Sequence, residues 1–184
     1  WHPSAERGGD PLRSFDRRMP EETNRLVTDV LADYLFASEP SGVANLLNEG
    51  IPEEKIFFVG NVMIDTLLKF RVKAARTRVL ARLGLKSGQY AVATLHRPSN
   101  VDEKHRLQKL IKTIAGSGIL TVFPVHPRTR KSLGVAVSAK PKGILFVPPV
   151  SYWDMLVLEK NALRILTDSG GVQKEAYLHR VPCV

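Results

Sequence analysis

The sequence predicts an α/β protein built on parallel sheets. Short apolar segments of strand length alternate with segments whose apolar residues recur every three or four positions, which is the spacing of one helix face. The strand-like segments are continuously apolar, as is typical of parallel strands covered on both faces. With 184 residues and 43% hydrophobic side chains, the chain is long enough to bury a core between these layers.

The first part of the chain contains two predicted helices and a strand. The first helix begins at Pro20, because proline and the two acids after it fit a first helical turn, and its apolar residues between 26 and 35 form a stripe expected to face a core. Ser41 is expected to cap the second helix, and Gly50 follows its end. The apolar run 55–59 then predicts a buried parallel strand.

The second part of the chain repeats the strand–helix alternation more regularly. A helix is predicted from residue 64, and the basic stretch after residue 73 is interpreted as the connection between two domains, 1–73 and 74–184. Such alternation predicts right-handed crossovers and helices on both faces of one parallel sheet. The predicted strands are 90–95, 120–125, 144–147 and 163–167, and the helices are 103–115, a stretch after 128, 152–158 and 172–178.

Composition narrows the classes of function. No apolar run approaches the roughly 20 residues of a membrane helix, and the polar start has no apolar signal core, so we expect a cytoplasmic protein without a membrane partner. The single Cys183 has no His or Cys at metal-ligand spacing, so no metal site is expected. A formal net charge of +9 suits either nucleic acid or a small diphosphate. The basic segment 71–82 lacks interleaved aromatic residues, so we interpret it as a solvated helix face and expect no nucleic-acid partner.

Polar side chains follow the predicted strands of the second domain, where ligands bind in doubly wound sheets. The positions are His96, Arg97 and Asn100 after the first strand, His126 after the second, and 167–171 after the fourth. Taken alone, His96 suits a hydrogen-bonded loop residue as well as a ligand or catalytic role, and His126 between two prolines suits a turn slightly better.

The Ser169-Gly170-Gly171 sequence precedes a predicted helix. Glycines let backbone N–H groups approach a ligand closely, and a helix N-terminus favours phosphate. By itself a Ser-Gly-Gly turn is a weak signal. One turn later, Glu175 is either a carboxylate that accepts hydrogen bonds from a ribose or an exposed surface acid.

Five segments together resemble the non-hydrolysing UDP-N-acetylglucosamine 2-epimerases. They are DPLRSFDRRMPEE (10–22), GNVMID (60–65), TLHRPSNV (94–101), PVHP (124–127) and TDSGGVQKEA (167–176). The segments occur in the family's order and at fitting intervals, and the similarity extends over nearly everything from Leu12 to Val184.

The resemblance implies two Rossmann-like domains in a glycosyltransferase-B arrangement, part of which this chain supplies, with a UDP-sugar between them. It implies interconversion of UDP-N-acetylglucosamine and UDP-N-acetylmannosamine for surface polysaccharides, without an added cofactor or metal, and a possible homodimer. In that chemistry UDP leaves C1, which makes the C2 proton removable, and UDP then adds back with the opposite configuration at C2.

Residue roles follow from the same resemblance. Glu21 and His96 are the expected catalytic residues. The expected substrate-binding residues are Arg13 in the sugar pocket, Arg97, Asn100 and His126 in the cleft, Ser169, Gly170 and Gly171 at the phosphates, and Glu175 at the ribose.

Two departures from the family pattern bear on activity. The family places a catalytic Glu in Glu-Ala-Gly-Leu-Arg-Ser, whereas Gly9 stands at that position here, with Asp10 one residue away. The similarity also begins only at Leu12, so we expect a truncated member with impaired or absent activity. The alternatives are a non-catalytic UDP-sugar-binding module, a glycosyltransferase sharing the cleft, and a basic nucleic-acid-binding protein.

Overall fold

The computed structural model describes residues 20–125, 127–134 and 141–184, with the side chains of all of these except 20, 21, 127 and 128. The described residues form two compact units, one ending at Val62 and one beginning at Met63. The predicted domain boundary after residue 73 stays a prediction.

The first unit pairs two short strands in parallel. Its elements are α1 (Pro20–Leu31), β1 (Leu35–Ala37), α2 (Pro40–Asn48), a single 3₁₀ turn (Glu53–Lys55) and β2 (Ile56–Phe58). Strand β1 runs parallel to β2, with Phe36 opposite Phe57. Gly50 follows α2 with a φ of +82°, a conformation that glycine adopts without strain.

Three expectations for this unit are wrong. The apolar stripe of α1 is largely exposed, with Val30 at 71% and Leu31 at 76%, and in β2 Phe58 is 61% exposed. The two strands and two helices among the described residues of this unit offer too little surface to cover every apolar face. Ser41 does not cap α2: the helix starts one residue earlier at Pro40, whose fixed φ suits the first helical position.

The second unit is a four-stranded parallel sheet with helices on both faces. Its strands are β3 (Tyr90–Thr94), β4 (Leu120–Pro124), β5 (Ile144–Val147) and β6 (Arg164–Thr167), in the spatial order β5-β4-β3-β6. The helices are α3 (Val62–Ala74), α4 (Val79–Leu83), α5 (Pro98–Val101), α6 (Lys104–Ala115), α7 (Pro127–Leu133), α8 (Tyr152–Lys160) and α9 (Gly170–His179). All strand pairs are parallel, which confirms the predicted α/β class with Rossmann-like sheets.

The sheet of the second unit separates two apolar clusters. One contains Leu158 of α8 and Ala176 of α9 packed on β3, β4 and β6, and the other contains Leu107 and Ile111 of α6 on the strands' opposite side. The buried Tyr90 hydroxyl donates to the Leu158 carbonyl at 2.7 Å, which joins β3 to α8. The sheet thereby fixes the helices α8 and α9 that carry part of the site.

A tight turn precedes β5. Gly143 has a φ of +89°, and a Cβ at this position would lie 2.8 Å from the carbonyl oxygen of Ala115. Only glycine fits here without displacing the end of α6.

Among the described residues, no helix is long and apolar enough to cross a membrane.

Candidate functional site

The carboxyl ends of β3 and β6 lie side by side because the two strands are parallel neighbours. Thr94 pairs in register with Thr167, and their hydroxyl groups share a hydrogen bond. The segments that follow these strands, 95–100 and 168–171, therefore leave the sheet at the same edge. This is the edge where α/β folds bind ligands.

Asp168 joins the two segments. Its carboxylate accepts hydrogen bonds from the backbone N–H of His96 at 3.1 Å and of Arg97 at 2.9 Å, and from Nδ2 of Asn100 at 3.0 Å. The Nδ1 atom of His96 lies 2.7 Å from the same carboxylate, and the Arg97 Nε donates to the Asp168 carbonyl at 2.9 Å. We call these contacts the Asp168 network. They bring three of the predicted site residues to one place.

The Asp168 network determines the charge of its central carboxyl group. Burial by itself would raise the pKa of Asp168, whose side chain is 8% exposed. The hydrogen bonds from Asn100, Arg97 and His96 outweigh burial, so the pKa lies below its usual value. Asp168 is therefore ionised at neutral pH. The His96 side chain, by contrast, is 57% exposed and accessible to a ligand.

The N-terminus of α9 begins directly after Asp168. Ser169 is the N-cap: its Oγ accepts from the Val172 N–H at 3.5 Å, and its own N–H donates to the Thr167 hydroxyl at 3.0 Å. The first N–H groups of a helix have no acceptor within the helix, so those of Gly170 and Gly171 are available to an anion.

The two glycines have different surroundings. A Cβ on Gly170 would meet nothing within 4 Å, whereas one on Gly171 would lie 3.1 Å from Cε of Met63. Gly170 therefore borders open space at the helix N-terminus, while Gly171 also accommodates a packing neighbour. A side chain at 170 would therefore enter open space at the helix N-terminus without displacing the protein around it.

Glu175 lies one turn further along α9. It is buried, so the alternative of an exposed surface acid is wrong. Its Oε1 accepts a hydrogen bond from the Tyr152 hydroxyl at 3.1 Å. Burial, followed by the adjacent Glu175 carboxylate, raises the pKa of Tyr152 to about 12, so this phenol remains a donor at neutral pH.

A second buried acid lies against Glu175. Glu159 is 0% exposed, and burial, followed by the Glu175 charge, raises the pKa of Glu159 to about 9. Glu159 is therefore protonated at neutral pH, and neither of its carboxyl oxygens has a hydrogen-bond partner among the described residues. The pKa of Glu175 is also raised, chiefly by burial, against the lowering effect of its hydrogen bond with Tyr152.

Sequence reasoning did not identify Tyr152 or Glu159 as site residues. The available signal was their spacing: residues seven apart occupy one face of a helix, and Leu156 on the same face is buried. Glu159, however, lies in the last turn of α8 and is followed by Lys160, and this pattern is typical of a solvent-exposed helix end.

The side chains of three other predicted site residues are not described. Arg13 and His126 are outside the described residues, and for Glu21 only the backbone, within α1 of the first unit, is described. Their roles stay predictions.

The described residues contain no group of three potential metal ligands among His, Cys, Asp and Glu.

A cavity of about 410 Å³ lies elsewhere in the second unit, at the opposite ends of α8 and α9. Arg71, Lys160 and His179 line it, and each belongs to the last turn of its helix. The cationic Arg71 and Lys160 stabilise the negative ends of their helix dipoles. Burial, followed by the Lys160 charge, lowers the pKa of His179, which is neutral at pH 7. This cavity is separate from the edge where the Asp168 network lies.

Comparisons with a family model and with individual proteins both match nucleotide-sugar 2-epimerases. The family model described as UDP-N-acetylglucosamine 2-epimerase matches residues 7–184. A UDP-N-acetylglucosamine 2-epimerase homolog of Methanococcus maripaludis is 45% identical, over 94% of this chain and 50% of its own length. The UDP-2,3-diacetamido-2,3-dideoxy-D-glucuronate 2-epimerase of Pseudomonas aeruginosa is 40% identical, over 94% and 49%.

The solved structures include similar folds. A crystal structure of Methanocaldococcus jannaschii UDP-GlcNAc 2-epimerase in complex with UDP-GlcNAc and UDP matches with a TM-score of 0.83 and 44% identity, over 94% of this chain and 50% of that one. The chain thus spans about half the length of the relatives it matches.

Proposed function

Because the chain belongs to the UDP-N-acetylglucosamine 2-epimerase family, we propose that its second unit binds the UDP moiety of UDP-N-acetylglucosamine and supplies the nucleotide-binding part of an epimerase. The observation that carries the proposal is the Asp168 network, which holds exposed His96 and Arg97 beside the N-terminus of α9. In this proposal the nucleotide diphosphate lies at that helix terminus.

The arrangement suits a leaving diphosphate. The N–H groups of Gly170 and Gly171 and the positive end of the helix dipole attract phosphate oxygens. The Arg97 guanidinium adds a positive charge, and His96 adds a donor group at the same edge. When the C1–O bond breaks, negative charge grows on the departing diphosphate, and donors fixed in advance stabilise it most effectively.

The remaining chemistry requires acid–base groups near C2. Breaking the C1–O bond gives C1 positive character, and a base then removes the C2 proton, which yields a glycal and free UDP. Return of UDP to C1 and of a proton to the opposite face of C2 produces the N-acetylmannosamine epimer. We propose Glu21 as one of these acid–base groups.

The 184-residue chain spans about half of its relatives, and Gly9 replaces a carboxylate of the family pattern. Loss of one positioned catalytic group costs a factor of about 10²–10⁴. We therefore expect UDP binding without measurable epimerisation by this chain. Conversion of UDP-N-acetylglucosamine, followed by nuclear magnetic resonance, at a rate near that of a full-length relative would contradict this. A homodimer stays a prediction, which analytical ultracentrifugation can test.

Calorimetric titration with UDP tests the binding proposal directly. Gly170→Val is the sharpest variant, because its side chain enters space that is empty in the structure yet would crowd a phosphate. We expect a loss of affinity of at least about tenfold, which corresponds to about 1.4 kcal/mol. Tyr177→Ala is the matched control, since this side chain is 83% exposed at the far end of the same helix. Undiminished UDP affinity in Gly170→Val would refute the proposed phosphate position.

A further inference from the structure

The peptide unit between Leu95 and His96 is held at both of its polar ends. Its carbonyl, that of Leu95, accepts a hydrogen bond from Oγ1 of Thr129 at 3.2 Å. Its N–H, that of His96, donates to the two carboxylate oxygens of Asp168 at 3.1 Å each. A trans peptide bond directs its C=O and its N–H to opposite sides, and no peptide bond among the described residues is cis. Thr129 and Asp168 therefore hold this peptide unit from opposite sides.

Thr129 belongs to a different element from the rest of the site. It lies in the first turn of α7, the helix that follows β4, and it is 1% exposed. A threonine in a helix commonly bonds to a carbonyl of the preceding turn, yet this hydroxyl donates to a carbonyl 34 positions earlier in the chain. The bond therefore connects the helix after β4 to the segment after β3, the neighbouring strand of the sheet.

The two hydrogen bonds together restrict the rotation of the peptide unit. A bond at one end leaves the peptide plane free to rock about that end, whereas bonds at both ends reduce this freedom. The direction from Cα to Cβ of His96 depends on the orientation of the peptide unit that precedes it. Thr129 consequently helps to set where the His96 imidazole lies, although that side chain is itself 57% exposed.

We propose that Thr129 is a positioning residue of the nucleotide site, which together with Asp168 fixes the Leu95–His96 peptide unit and thereby the position of the His96 side chain beside the diphosphate. This inference rests on the proposed function, because His96 contributes to binding only if the nucleotide lies at this edge of the sheet. Thr129 acts through His96, since its own hydroxyl group is engaged and its side chain is buried.

The described structure contains a matched control for Thr129. Thr121 is also 1% exposed, and its Oγ1 also donates to a backbone carbonyl at 3.2 Å, that of Ile119. It lies near the amino end of β4, whereas the site lies at the carboxyl ends of the strands. Valine has nearly the shape of threonine and lacks the hydroxyl group. Thr129→Val and Thr121→Val therefore each remove one hydrogen bond of a buried side chain, and only the first does so at the site.

Calorimetric titration with UDP distinguishes the two positions. For Thr129→Val we expect UDP affinity to fall about threefold to tenfold, which is the effect of one hydrogen bond on an equilibrium. Thr121→Val should bind UDP like the wild type, while thermal unfolding should show a lower melting temperature for both variants. Thr129→Ser keeps the hydroxyl group and should recover most of the affinity that Thr129→Val loses. Equal losses of affinity in the two valine variants, or no recovery in Thr129→Ser, would overturn the inference.

A double-mutant cycle with Asp168→Asn tests whether both side chains act on the same peptide unit. Releasing the second end costs little once the first end is free. The combined variant should therefore lose less UDP affinity than the product of the two separate losses. Losses that simply multiply would show that Thr129 and Asp168 act independently, which contradicts the inference.

Hydrogen exchange of the His96 amide gives a readout that does not require UDP. We expect this amide to exchange faster in Thr129→Val than in the wild type or in Thr121→Val, with the Val92 amide in the middle of β3 as the reference for overall opening. An unchanged rate in Thr129→Val would overturn the inference.

The outcomes separate this inference from the proposed function. A wild-type chain that binds no UDP would overturn the proposed function and with it the link to the nucleotide, whatever the exchange rates show. UDP binding by the wild type together with the same affinity in Thr129→Val would overturn the inference alone.

Discussion

Replacement of Asp168 by alanine tests the network at the centre of the site. The substitution leaves the N–H groups of His96 and Arg97 and the Asn100 amide without their acceptor. Each hydrogen bond to a charged group contributes about 1.5–3 kcal/mol. Since His96 and Arg97 are exposed, water can replace part of what is lost, so we expect a loss of about 2–3 kcal/mol instead of the full sum. We expect UDP affinity to fall about tenfold or more, because the segment 95–100 is no longer held at the N-terminus of α9.

Urea unfolding followed by circular dichroism, with calorimetric UDP titration, measures both effects. Asp168→Asn should lie between wild type and alanine, and its difference from wild type should depend on pH. The lowered pKa of Asp168 means that its stabilisation is present above the ordinary aspartate range and is lost as the pH falls through the folded-state value. Asp33→Asn, at an exposed position, is the control and should stay within about 0.5 kcal/mol of wild type. If Asp168→Ala has the same free energy of unfolding and the same UDP affinity as the wild type, the reasoning about the network is wrong.

Three further predictions concern packing and titration. Tyr90→Phe should destabilise the chain by about 1 kcal/mol, because it removes the buried hydrogen bond to Leu158; an unchanged urea midpoint would contradict this. Gly143→Ala should cost about 2–3 kcal/mol, since it adds strain at a positive φ and a close contact with a backbone carbonyl, and a melting temperature equal to wild type would exclude that strain. Glu159 has a folded-state pKa raised to about 9, so folding binds a proton and the free energy of unfolding should decrease between about pH 5 and pH 9, by up to about 1.4 kcal/mol per pH unit. In Glu159→Gln this slope should disappear in urea titrations, and an identical slope would show that other groups cause it.

The order of strands and helices in the second unit could be predicted from the sequence. Continuous apolar runs and three-to-four spacing are local signals, and every predicted strand between 90 and 167 occurs within a residue or so of its expected position. The polar residues after β3 and β6 could be assigned to one edge, because parallel strands end on the same side of a sheet. The same signal does not show that Asp168 is the centre of the site, because its hydrogen bonds join segments about 70 residues apart.

Burial was harder to predict because it depends on what covers a face. The stripe of α1 has helical spacing, yet periodicity only identifies a common face and does not supply a neighbour for it. The burial of Glu159 could not be predicted for the same reason. Glu159 precedes a lysine at the end of a helix, which is a pattern typical of a solvent-exposed acid. Its contact with Glu175 arises from the packing of α8 against α9, which no local signal encodes.

The Asp168 network also bears on the order in which the molecule folds. The residues that it joins are separated by about 70 positions in the chain, so the segment after β3 cannot reach its final shape until β6 has docked. Contacts of such long range form slowly, because the intervening chain must first close into a loop. We therefore expect nucleotide-binding competence to be among the last properties acquired during refolding, later than the bulk of the helical signal.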